Sequence, residues 1–124
     1  MSAVPESTLP EPRPQAEQAR MLAYVRENGY GNTTAAYVRG VTAALLWATG
    51  EAQEAPVTGR VMSRPLSGLD IGSEGGRAYE AMYATSDPAL FQITQDNGLD
   101  YVLGIEHTLS WVNGSTALWA PWET

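Results

Sequence analysis

Cysteine is missing from this chain of 124 residues, so neither a disulfide framework nor a thiolate metal site can be built. Histidine occurs once, at His107, which removes any histidine-based metal centre, and no HExxH, GxSxG or Walker pattern is present. Apolar runs fall well short of the roughly 20 residues that span a bilayer. The opening MSAVPESTLPEPRP has no basic start and no apolar centre, unlike a signal peptide. The expectation is a cytoplasmic protein with no membrane segment, no metal and no cofactor. Lysine is also absent, a habit of alanine- and glycine-rich coding in high-GC genomes that is an association and not a physical argument.

Positive charge runs out early. Fourteen acids oppose seven arginines for a net charge of −7, and no base follows Arg77, whereas six acids do. A C-terminal part of that sign repels phosphate backbones and anionic membrane surfaces, which argues against direct nucleic-acid binding and leaves a basic protein as a conceivable partner.

What the chain does have is a stretch written twice. NTTAAYVRGVTAALLWATG, residues 32–50, returns as DYVLGIEHTLSWVNG, residues 100–114. Tyr37, Val38, Gly40, Val41, Leu45, Trp47 and Gly50 match Tyr101, Val102, Gly104, Ile105, Leu109, Trp111 and Gly114 at a constant offset of 64 residues. Tyr37, Val38, Val41, Ala44, Leu45 and Ala48 form one apolar stripe at a period near 3.6, the mark of an amphipathic helix. Asn32, Thr33 or Thr34 can cap its start, and Gly50 suits a left-handed C-terminal position. Gly40 costs roughly 1 kcal/mol against alanine inside a helix. With Ala36 and Ala44 it forms a ridge of small side chains, and Gly104 lies on a comparable ridge with Thr108. The two helices are therefore expected to cross at Gly40 and Gly104 as pseudo-symmetric partners.

In chain order, residues 1–13 carry Pro5, Pro10 and Pro12 and read as a disordered tail, with residues 14–124 a single helical domain of repeat units roughly 14–58 and 73–124. Pro14 suits the first turn of a helix with Met21, Leu22 and Val25 inward, stopped by Asn28 and Gly29. The short connection that follows predicts an antiparallel hairpin with the repeated helix. Residues 51–77 lose periodicity and read as a long crossover, in which Val61 with Met62 and Leu69 with Ile71 suggest a short extended pair. A third helix is expected from Ser73 to about Thr85 with Tyr79, Met82 and Tyr83 inward. Asp87 and Pro88 open a fourth, ended by Asn97 and Gly98. The fold class is all-α, a bundle of about five helices built from a degenerate internal repeat.

Candidate sites are few. Neighbouring helical residues point about 100° apart, so Glu106 and His107 are expected not to share a small site, and His107 reads as a surface or half-buried histidine. Gly72, Gly75 and Gly76 beside Arg77, with Arg60 and Arg64 nearby, are candidates for an anion-binding nest, against the plainer expectation of a flexible crossover with solvated arginines. Glu51 with Glu54 and Asp96 with Asp100 sit at helix ends, where hydration or capping accounts for them. Trp119 and Trp122 form the better clue: in a short irregular tail they make either an exposed interaction patch or a lid that closes the core.

YVRGVTAALLWATG, with YVLGIEHTLSWVNG after it, resembles the Tyr-Val-x-Gly-Val-x-x-x-Leu-x-Trp-x-x-Gly helix of small uncharacterised proteins of actinobacteria and their phages. The resemblance covers about 30 of the 124 residues and implies provenance and helical character, with no activity attached. Glu106 and His107 depart from it, standing where the first copy has Thr42 and Ala43. The combined expectation is a non-catalytic acidic interaction protein acting through Trp119 and Trp122 on a protein partner or on itself as a homodimer. The alternatives are an acidic inhibitor that mimics nucleic acid towards a basic protein, and a small hydrolase or anion-binding protein.

Overall fold

The computed structural model describes residues 11–84 and 87–122, and among these it contains five helices and no strand. They are α1 (Gln15–Asn28), α2 (Ala35–Thr49), α3 (Gly68–Ala81), α4 (Pro88–Asn97) and α5 (Leu99–Val112). The helix α2 starts where a capping threonine allows it, with Thr34 Oγ1 accepting from the Tyr37 N–H at 3.2 Å, and ends at Gly50, whose φ of +91° is left-handed. Asp87 caps α4 through the Ala89 N–H at 2.9 Å, with Pro88 in the first turn.

The centre of the bundle is the α2/α5 pair. A Cβ built on Gly40 would fall on the carbonyl oxygen of Tyr101, and one built on Gly104 would come within 2.5 Å of the carbonyl oxygen of Tyr37. The next contacts are Ile105 N and Val41 N, so each glycine meets in the other helix the counterparts of what surrounds its own partner. Two backbones touch here with no side chain between them. Val41, Leu45, Trp47, Ile105, Leu109 and Trp111 are buried around the crossing. Against this pair α1 packs on α2 through Met21, Leu22 and Val25, α3 packs on α5, and α4 leans on α3 and α5.

Three expectations are corrected. The third helix begins at Gly68, not Ser73, because Ser67 and Asp70 form a reciprocal capping box, Asp70 N–H to Ser67 Oγ at 3.1 Å and Ser67 N–H to Asp70 Oδ2 at 3.0 Å. Leu69 and Ile71 thus belong to α3, and the crossover's extended contact is a single antiparallel bridge between Glu54 and Val61. The inward face of α3 is Ile71, Glu74, Ala78 and Ala81, while Tyr79 and Tyr83 stay 54% and 48% exposed and pack on each other. Gly75 sits against Leu109 of α5, so small residues make the close contact and the bulky tyrosines stay at its edge, with Tyr79 lining the groove between the two helices.

The domain also begins before Pro14. The N–H of Arg13 donates to Val112 O at 2.6 Å, and its guanidinium donates to Trp111 O at 2.6 Å and Ser115 O at 2.9 Å while lying 4.5 Å over the Trp111 ring. Residues 1–10 and Thr85, parts of the predicted tail and third helix, lie outside the described residues. Arg64 does for α2 what Arg13 does for α5, donating from Nη2 to Trp47 O at 2.5 Å and to Ala52 O at 3.2 Å. Both arginines precede a proline, and the carbonyls they bind belong to the two matching tryptophans.

Gly40→Leu and Gly104→Leu are each expected to destabilise the fold by at least about 2–3 kcal/mol, because backbone cannot move aside as a side chain can. Thermal unfolding followed by circular dichroism checks this, and unchanged midpoints would contradict it. Arg13→Ala is expected to lower the same midpoint by an amount equivalent to about 1–3 kcal/mol, the cost of losing the guanidinium's part-buried hydrogen bonds to Trp111 O and Ser115 O.

Candidate interaction surface

The last described segment, residues 115–122, lies over α1. Its residues alternate: Leu118 and Ala120 are buried, while Trp119 between them is 57% exposed. The strand-like alternation is held in place by a distant tyrosine, since Tyr30 Oη donates to the carbonyl of Trp119 at 2.7 Å. The Trp119 ring meets the Tyr24 ring edge-on, with centroids 6.4 Å apart, and Trp122 is half-buried under the Arg20 guanidinium, 4.3 Å from its ring. Arg20, Tyr24 and Glu27 fall at i, i+4 and i+7 on α1 and so share one face. With Ala23, Pro121 and Trp122 they line a cleft of about 350 Å³.

The two tryptophans thus divide the roles that the sequence offered as alternatives. Trp122 packs against the core and Trp119 projects. Sequence reading missed Tyr24 and Arg20 as their neighbours, because nothing local to residues 115–122 says which helix they cross. The i, i+4 pairing of Arg20 with Tyr24 on an otherwise polar face was the available signal.

The other candidates are placed as follows. Glu106 Oε2 lies 3.9 Å from His107 Nε2, but Glu106 lines the groove between α3 and α5 and His107 does not. Tyr37 Oη and His107 Nδ1 share a hydrogen bond at 2.8 Å across the α2/α5 interface. Burial, and secondarily the charge of Glu106, raises the Tyr37 pKa, so its hydroxyl keeps its proton and serves as a tie between the helices. The anion nest is overturned: Gly72, Gly75 and Gly76 lie inside α3, where their N–H groups belong to the helix. Arg64 is committed to Trp47 O and Ala52 O. Arg60 and Arg77 do share a cleft of about 450 Å³ with Val57, Leu90 and Ile93, but each is paired, Arg60 with Glu74 at 4.0 Å and Arg77 with Glu80 at 3.0 Å.

Several carboxylates are engaged within the chain. Glu74, fully buried, accepts from Val57 N–H at 2.6 Å, Thr58 N–H at 2.9 Å and Thr58 Oγ1 at 2.9 Å, which fastens the crossover to α3. Asp87 caps α4, Asp96 accepts from Gln92 at 2.8 Å, and Asp100 accepts from Thr34 at 2.8 Å. Among the described residues no group of three histidine, cysteine or acidic side chains is placed to hold a metal ion, and no helix is long and apolar enough to cross a membrane. In comparisons with known proteins, no family model, no curated protein and no solved structure matches the chain.

Tyr30, which anchors Trp119, is only 9% exposed, and burial pushes its pKa from the ordinary 10.0 up to about 12, partly offset by the hydrogen bond to Trp119. A tyrosine whose pKa is raised by folding stabilises the native state fully below its unfolded value. That contribution is lost as pH rises from about 10 through about 12. Thermal midpoints should therefore fall over that window, and Tyr30→Phe should flatten the fall, leaving the slopes from Tyr37 and Tyr101, which burial also raises, and from Tyr83, raised by its hydrogen bond with Tyr79. Absorbance at the tyrosinate band provides the parallel titration, and an equally steep fall in the variant would contradict the assignment.

Proposed function

We propose that this protein is a non-catalytic binding module that engages a protein, a partner or a second copy of itself, through the surface formed by Trp119, Tyr24, Trp122 and Arg20. The observation that carries the reading is the exposed Trp119 ring on an anchored backbone. Leu118 and Ala120 are buried on either side of it and Tyr30 bonds its carbonyl. A large apolar ring held towards water in a fixed orientation is unfavourable for an isolated domain and favourable for an interface, where tryptophan, tyrosine and arginine are the residues that anchor most often. The ring arrives with its side-chain freedom already reduced by Tyr24, which lowers the cost of association. We also infer that α2 and α5 descend from one duplicated segment, supported by the constant offset of 64 residues and by the reciprocal contacts at Gly40 and Gly104.

Trp119→Ala tests the binding reading with little risk to the fold, since most of the ring is exposed. Helicity and thermal midpoint should stay close to those of the parent. Self-association measured by sedimentation velocity, or affinity for an isolated partner, should weaken by about 2 kcal/mol or more, roughly thirtyfold in Kd. Unaltered association in a folded variant would exclude the surface.

A further inference from the structure

The cleft between the crossover, α3 and α4 combines an apolar floor with charges of both signs. Val57, Leu90 and Ile93 line it together with Arg60, Arg77 and Asp87, around a volume of about 450 Å³. Val57 and Leu90 are 6% and 9% exposed and so form its floor, whereas the two arginine side chains are half exposed and Asp87 is exposed, which puts the charges at the rim. Among the described residues Leu90 is the only one of α4 that is buried. The helix is lightly seated, and apolar side chains that would close its seam with the crossover line an open cleft instead.

The rim charges are positioned without being used up. Arg60 is set by its own turn, since its Nε donates to Thr58 Oγ1 at 3.2 Å and Thr58 is in turn fastened to the buried Glu74. Its Nη2 lies 4.0 Å from Glu74 Oε1, beyond hydrogen-bond reach, and that oxygen already accepts from Thr58 Oγ1 at 2.9 Å. Arg77 donates from Nη1 to Glu80 at 3.0 Å, a pair of half-exposed side chains of the kind that water weakens. Asp87 accepts from the Ala89 N–H through Oδ1, which uses one carboxylate oxygen and leaves the exposed group its charge.

A simple anion does not suit this rim. Glu74, Glu80 and Asp87 outnumber the two arginines, so a phosphate or sulfate would meet as much repulsion as attraction. A small molecule with one charge of each sign and an apolar body finds a partner for each of its parts, an apolar floor with a few converging polar groups being the usual make-up of a ligand site. We propose that this cleft binds a free apolar α-amino acid, its carboxylate held by Arg77 and Arg60, its ammonium by Asp87 and its aliphatic side chain by Val57, Leu90 and Ile93. The site is separate from the Trp119 surface and stands or falls without it.

L-Leucine is the probe, titrated into the full chain with amide chemical shifts as the readout. Saturable shifts should centre on Thr58, Arg60, Ala89 and Leu90. 4-Methylpentanoate, which is leucine without its ammonium, and 3-methylbutylamine, which is leucine without its carboxylate, should each bind at least about tenfold more weakly, as should serine, which lacks the apolar side chain. Arg77→Gln should keep the parent's thermal midpoint and weaken leucine by about tenfold or more while leaving 3-methylbutylamine as in the parent. Asp87→Asn retains an oxygen for the Ala89 N–H and should bind leucine and 4-methylpentanoate alike. The two variants lose opposite selectivities, which a merely structural role for either residue would not produce. The proposal is overturned by any of three results: no saturable shift up to roughly 10 mM leucine, either analogue binding the parent chain as tightly as leucine, or undiminished leucine binding in Arg77→Gln. Shifts confined to residues outside the cleft would overturn it as well.

Discussion

The structure depends on one contact, the meeting of two helix backbones at Gly40 and Gly104. Helices with ordinary side chains at their crossing stand 8–10 Å apart at about that range. With the side chains removed, α2 and α5 come close enough for each glycine to lie on the other helix's tyrosine carbonyl. That closeness lets Val41, Leu45, Ile105 and Leu109 pack above and below the crossing and encloses Trp47 and Trp111 fully. It leaves the flanks of the pair for α1 and α3, one against each central helix.

Polar groups then fix what the helices alone would leave loose. Each central helix ends in carbonyls without intrahelical donors, and an arginine from a distant segment supplies them: Arg64 for α2, Arg13 for α5. Glu74 works in the opposite sense, a buried carboxylate that satisfies the N–H groups of Val57 and Thr58. Tyr30 binds the carbonyl of Trp119. The irregular segments are thereby ordered by a few long-range hydrogen bonds instead of by secondary structure, and this is how an exposed tryptophan is held in a defined pose. The surface proposed for binding is a consequence of the same economy, since the segment that covers α1 buries Leu118 and Ala120 and presents Trp119 between them.

Much of this was legible along the chain. The apolar stripes of α2 and α5 and the caps of α2 and α4 are local properties, fixed by periodicity and by Thr34, Gly50 and Asp87. Glycine on a helical ridge, repeated at a matching place in a second helix, points to a close approach from the sequence alone. The start of α3 was also written locally, in the Ser67 and Asp70 capping box. Gly72, Gly75 and Gly76 obscured it, because glycine contributes nothing to an apolar period and resembles a loop.

Other features were not local at all. Arg13 meets Trp111 across 98 residues and Tyr30 meets Trp119 across 89, distances over which no pattern in the chain announces a bond. The sequence by itself determined which segments are helical, where most of them stop and which two can touch, because those depend on neighbours within a few residues and on the bare size of glycine. Only the tertiary structure decided that residue 13 belongs to the domain, that Tyr79 faces outward, that Trp122 is half-buried and that Trp119 projects. Each of those outcomes depends on which surface lies opposite, and that surface is assembled from residues far away in the chain.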